Sequence, residues 1–108
     1  MPNTYKLTAT KVTGSGITIL YTAPVATTTL IKSLYISNIA TGSVYMDVII
    51  NKSGSPINYY LISGSLVPPQ ASFQPISDTL ALQAGDIIKV NTNVVSGSDA
   101  LLSYLEIT

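Results

Sequence analysis

Five carboxylates are the groups in this chain whose chemistry could go beyond binding: Asp47, Asp78, Asp86, Asp99 and Glu106. A pair of carboxylates can act as acid and base across a glycosidic bond. These five are dispersed along the chain, and three of them sit in or beside turn sequences, where aspartate satisfies backbone N–H groups. Histidine is absent, which removes the commonest general base and the commonest metal ligand together. Cysteine is absent as well, so neither a disulfide framework nor a thiolate site can be built. Ser-His-Asp and Cys-His constellations are thereby excluded. No convergent set of groups remains from which a reaction can be argued, so the expectation is a protein that is not an enzyme and has no catalytic residues.

The ligand-binding patterns are equally thin. Asn93 with Asp99, or Asp78 with Asp86, could offer oxygens to calcium, but that ion takes about six or more, and no D-x-D-x-D-G spacing supplies them. Gly14-Ser15-Gly16 is too short for a phosphate loop and lacks the Gly-Lys-Ser/Thr ending, so it reads as a turn. Asn51-Lys52-Ser53 fits the glycosylation sequon, a match taken as accidental in a chain without an export signal. No metal and no cofactor are expected.

Charge narrows the partners. Only 9% of the 108 residues are charged and the formal net charge is zero, against roughly 25% charged in ordinary domains. The lysines at 6, 11, 32, 52 and 89 are scattered and arginine is absent. A nucleic-acid binder needs a basic stripe to displace counterions, and none is present. Nothing in the net charge keeps copies apart, so self-association is favoured. The first ten residues, MPNTYKLTAT, have no basic segment followed by an apolar one, and no run approaches the 18 or so apolar residues of a membrane helix. The chain is expected to be made in a cytoplasm, with no membrane partner and no export by the secretory route.

The remaining candidates are the seven tyrosines. Tyrosine with nearby Asn and Asp can form a sugar-binding face, and it can equally anchor a protein interface. With no tryptophan to stack on sugars, subunit or partner contact is the better reading. The residues expected to carry it are Tyr35 and Tyr45, then Tyr59 and Tyr60.

These side chains must be positioned by strands. The stretch Thr28 to Asn51 holds two apolar runs either side of Asn38-Ile39-Ala40-Thr41-Gly42-Ser43 and reads as a central hairpin. Alternation puts Val44, Met46, Val48 and Ile50 on one face of its second strand, with Tyr45, Asp47, Ile49 and Asn51 on the other. In the first strand Leu30, Lys32, Leu34 and Ile36 oppose Ile31, Ser33, Tyr35 and Ser37. Pairing Ile31 and Tyr35 with Tyr45 and Ile49 would leave a second apolar face, which a monomer rarely leaves bare. Further strands are expected at Tyr5 to Lys11, Ile17 to Thr22, Ile57 to Ser63, Ala71 to Gln74, Leu80 to Leu82, Ile87 to Thr92 and Ala100 to Thr108. In the last of these Leu101, Leu105 and Ile107 are expected to face the core; in Ile87 to Thr92, Ile88 and Val90. Pro68-Pro69 marks a rigid crossing loop, and Gly85-Asp86 a tight turn. Eight or nine short runs at near-regular spacing, none with helical period, give a single-domain antiparallel β-sandwich of jelly-roll type spanning the whole chain.

Four pieces of this chain, Leu20-Tyr21-Thr22-Ala23-Pro24, Ile36-Ser37-Asn38, Leu82-Gln83-Ala84-Gly85-Asp86-Ile87-Ile88-Lys89-Val90 and Ser103-Tyr104-Leu105-Glu106-Ile107-Thr108, resemble small virion structural proteins of tailed bacteriophages, particularly cyanophages and other marine phages. The resemblance implies a β-sandwich that assembles on the particle without catalysis, with no catalytic residues to carry over. The expectation that follows is a capsid decoration or cement protein of the virion. It would form a homo-oligomer, a trimer being favoured, and contact the major capsid protein or tail components through the Ile31, Tyr35, Tyr45, Ile49 face. A receptor- or glycan-binding module at a fibre is the alternative, with loops Lys52 to Pro56 and Asn93 to Asp99 carrying specificity.

Overall fold

A computed structural model describes residues 3–12, 16–76, 79–92 and 98–108. Nine strands are found among them: β1 (Asn3–Val12), β2 (Gly16–Thr22), β3 (Thr28–Asn38), β4 (Val44–Asn51), β5 (Asn58–Val67), β6 (Ser72–Ile76), β7 (Leu80–Leu82), β8 (Ile87–Thr92) and β9 (Ser98–Ile107). They form two antiparallel sheets. The first runs β1-β9-β3-β6, with β7 also paired to β3; the second runs β2-β8-β4-β5. β6 covers Leu34 to Ser37 of β3, and β7 covers Thr29 to Ile31, so the two are halves of one interrupted edge strand. Counted that way, the first strand pairs the last, the second pairs the next to last, and so inward to β4 with β5. This rolled-up hairpin is the strand order of a jelly roll.

The expected hairpin between β3 and β4 does not form. The segment 39–43 carries the chain from the first sheet to the second, so β3 pairs β6, β7 and β9 while β4 pairs β5 and β8. A short Asn- and Gly-containing connection fits a tight hairpin and a sheet-to-sheet crossing alike, and here Asn38 selects the crossing. Its side chain is 1% exposed. The amide nitrogen donates to Gly42 O at 3.0 Å, Val67 O at 2.9 Å and Pro68 O at 3.0 Å, while Oδ1 accepts from Ala40 N at 2.9 Å. One side chain thus ties the β3–β4 crossing to the Pro68-Pro69 loop.

The core lies between the sheets. Val12, Ile31, Leu34, Ile36, Val44, Met46, Val48, Ile88, Val90 and Leu102 are at most 1% exposed, each contributing about 1.5–3 kcal/mol by leaving water. Ile88 and Val90 point inward as the alternation predicts. Ile31 does not lie on the outer face, as the simple alternation has it. The ladder between β3 and β9 slips between Ile31 and Ser33, with Lys32 the extra residue. A bulge of one residue reverses the parity of everything beyond it, so Ile31 and Leu34 both point into the core. β9 also departs from expectation. Ala100, Leu102 and Tyr104 face inward, whereas Leu101, Leu105 and Ile107 share the outer face, on which Leu105 is nonetheless buried at 7% exposure. Large residues stand on both faces of β9, so alternation alone could not choose between them.

Candidate interaction surface

The four carboxylates among the described residues, Asp47, Asp86, Asp99 and Glu106, each have partners within the fold. Asp86, 1% exposed, accepts from Lys52 Nζ at 2.7 Å and from the backbone N–H groups of Ser53 and Gln83, both at 2.9 Å. Burial acts to raise its pKa, but the ammonium and the two N–H donors outweigh it and hold the carboxyl below its usual range. This joins the β4–β5 turn to the β7–β8 turn, and Ala23 N adds the β2–β3 loop through Asp86 O at 2.9 Å. Asp47 accepts from Gly64 N, inside a bulged part of β5, and from Asn91 Nδ2 at 3.1 Å. Asp99 pairs with Lys11 at 3.0 Å on the surface. Asp78 and Asn93, considered above as calcium ligands, lie outside the described residues. Among the described residues no three His, Cys, Asp or Glu side chains gather as a metal site would require.

Glu106 is a second buried acid. Lys6 Nζ meets it at 2.7 Å and the Tyr21 hydroxyl donates to it at 2.6 Å. The ammonium first and the hydroxyl second hold the Glu106 carboxyl below its ordinary value. In return the hydrogen bond to Glu106 raises Lys6. Burial, and then the neighbouring carboxylate, push the Tyr21 phenol well above its usual value. Tyr21 and Thr29 hydroxyls lie 2.8 Å apart, and the Tyr104 ring packs on Tyr21 with centroids 4.5 Å apart. The charge and orientation of the Glu106 carboxylate are thus satisfied within the fold.

The outer face of the first sheet is different in kind. Register sets Tyr5, Leu105 and Leu30 in one row, Leu7, Ser103 and Ser33 in the next, and Ala9, Leu101 and Tyr35 in the third. Tyr5 is 75% exposed, Leu7 67%, Tyr35 46% and Leu101 41%. Asn3, Ile107 and Thr28 close the band at one end, and Lys11, Asp99 and Ser37 at the other. Between the two polar end rows, three rows on three strands measure about 14 Å by 15 Å, on the order of 200 Å², a cluster of exposed apolar groups rimmed by polar ones.

The second sheet's outer face carries Ile17, Ile19, Tyr45, Tyr60 and Leu66, but Lys89, Asn91 and Asp47 interrupt its centre. Tyr35 and Tyr45 therefore lie on opposite sides of the sandwich and form no common surface. Ile49 is on the second sheet's outer side, yet it is fully buried because Tyr60 and Lys89 flank it on the adjacent strands. Tyr59 stands opposite Ile50 at the β5 edge and is half exposed. Of the six expected interface residues, Ile31 and Ile49 thus offer no surface. Tyr5, Leu7 and Leu101, which the sequence reading did not single out, dominate the apolar band instead. Their signal was the alternation Tyr5, Leu7, Ala9, whose direction could not be set without the partner strand. No family model matches the chain, and no curated protein matches it.

Proposed function

We propose that the chain is a non-enzymatic structural subunit of a virion, a jelly-roll decoration or cement protein. It docks on other particle proteins through the outer face of its first sheet. The resemblance to tailed-phage virion proteins supplies the kind of particle. The observation that carries the docking is the band of Tyr5, Leu7, Leu101 and Tyr35, held in register on three adjacent strands and bounded by Lys11 and Asp99. Aromatic and aliphatic groups with a polar rim make up the central part of a protein interface. Repetition of one such contact on a symmetric particle sums to stable attachment.

The test is the protein content of purified particles. The wild-type chain should be present in many copies per particle. Tyr35→Lys and Leu101→Lys, at exposed positions that leave the core intact, should fold and yet be lost from particles. A wild-type chain absent from purified particles would overturn the reading.

A further inference from the structure

We infer that β1 pairs with β1 of a second copy of this chain about a two-fold axis, continuing the first sheet across two subunits. The inference rests on the assembly reading for its need of a partner, and it names that partner and its place. Unpaired sheet edges are sites of strand addition unless they are interrupted, bulged or charged. Three of the four edges here are broken. β2 slips at Leu20, β5 slips twice and turns through Gly64 at φ 67°, and β6 with β7 is two short pieces with a further slip. β1 is the exception, with ten consecutive residues in one unshifted register with β9. Its inward lysine, Lys6, which would otherwise repel a strand, is neutralised by Glu106 at 2.7 Å, and Lys11 by Asp99 at 3.0 Å.

Charge and shape select a copy of the same strand. To keep both outer faces on the same side, antiparallel β1 strands must oppose residues of like parity. Centring on Lys6 sets two ammonium groups opposite each other, and centring on Thr8 sets Tyr5 against Lys11. Centring on Leu7 pairs Leu7 with Leu7, Tyr5 with Ala9, Thr4 with Thr10, Lys6 with Thr8 and Asn3 with Lys11. Large meets small, threonine meets threonine, and no like charges meet. The pairing also sets two apolar bands side by side, so that one dimer docks through both.

The chain contains no cysteine, so single cysteines report the geometry. Directly opposed residues have Cα atoms about 4.5–5.5 Å apart, within disulfide reach. Leu7→Cys should give a covalent dimer under mild oxidation, while Tyr35→Cys, two strands inward, should not. The wild-type chain should have dimer mass at tens of micromolar, and Leu7→Lys should weaken the dimer at least about tenfold. A wild-type monomer or trimer, coupling at Tyr35 in place of Leu7, or a dimer indifferent to Leu7→Lys would each overturn the pairing. A dimer coupled at Leu7 but absent from particles would remove the virion reading alone; a monomer found on particles would remove the pairing alone.

Discussion

Tyr21 and Glu106 meet across the two sheets, hydroxyl to carboxylate, at 2.6 Å. Tyr21 comes from β2 in the second sheet and Glu106 from β9 in the first. Among the described residues the layers otherwise touch mainly through aliphatic side chains, a contact without direction, with Asn38 of β3 bonded to Val67 O of β5 as a second directed link. This hydrogen bond, with Thr29 and Lys6 completing the carboxylate's surroundings, fixes how one end of the sandwich closes. A hydrogen bond to a charged group contributes about 1.5–3 kcal/mol, so Tyr21→Phe should lower unfolding free energy by about that amount in urea titration, with the fold unchanged by circular dichroism.

Stability should hold a plateau at mid pH and fall on both sides. Glu106 and Asp86 have folded pKa values below their ordinary 4.5 and 3.8. Each contributes stability that is present above the unfolded value and lost as pH falls through the folded one. On the alkaline side, Tyr21 is raised above 10.0, so the folded state keeps a proton that the unfolded chain releases, and stability declines as pH rises past that value. Lys6 acts in the same sense above 10.5. Urea midpoints between pH 2 and 11 check this. Glu106→Gln should flatten the acid limb, leaving the part due to Asp86.

How much of this was legible follows from what alternation can carry. β7 and β8 could be read almost residue for residue, since Gly85-Asp86 marks a turn and Ile88 and Val90 alternate with polar or outward groups. β3 could not, because the bulge at Lys32 reverses inside from outside and leaves no composition signal. Alternation in the sequence gives a second apolar side on a β3–β4 hairpin, and the fold puts those two strands in different sheets. Local pattern gives the strands, while which strands become neighbours depends on long-range closure and on Asn38, whose partners lie up to 30 residues away.

Gly85 should resist substitution for two separate reasons. Its φ of 85° is a conformation that L side chains rarely adopt. A Cβ there would also stand 2.9 Å from Ser53 Cβ and against its hydroxyl. Gly85→Ala should therefore destabilise by at least about 1 kcal/mol. Removing the hydroxyl as well, in a Ser53→Ala background, should recover only part of the loss, because the backbone strain remains. Thermal midpoints of the two single variants and the double variant separate the two contributions.

Ser98 gives the opposite expectation. Its hydroxyl is buried with no hydrogen-bond partner among the described residues, and it sits between Val12 and Asn38 on the inner face. An unpaired buried hydroxyl costs free energy that a methyl group does not. Ser98→Ala should be neutral or stabilising by up to about 1 kcal/mol, read from the urea midpoint at unchanged slope. A loss of more than that would mean the hydroxyl has a partner.

Asn38 should be the most sensitive polar position in the fold. Alanine there would leave the carbonyls of Gly42, Val67 and Pro68 and the N–H of Ala40 without their partner, and buried unsatisfied groups cost about 1–3 kcal/mol each before relaxation. Asn38→Asp is the sharper test because it keeps the shape and the Ala40 acceptor. It replaces the donor to three carbonyl oxygens by an oxygen that repels them when ionised. Such a buried carboxyl is held protonated, with a folded pKa above its unfolded value. The folded state then binds the extra proton, so the Asn38→Asp variant should gain stability as pH falls from 7 toward about 5, where the wild-type chain is level. A variant with the same pH profile as wild type would show that the three carbonyls find other donors and that the crossing from β3 to β4 is held elsewhere.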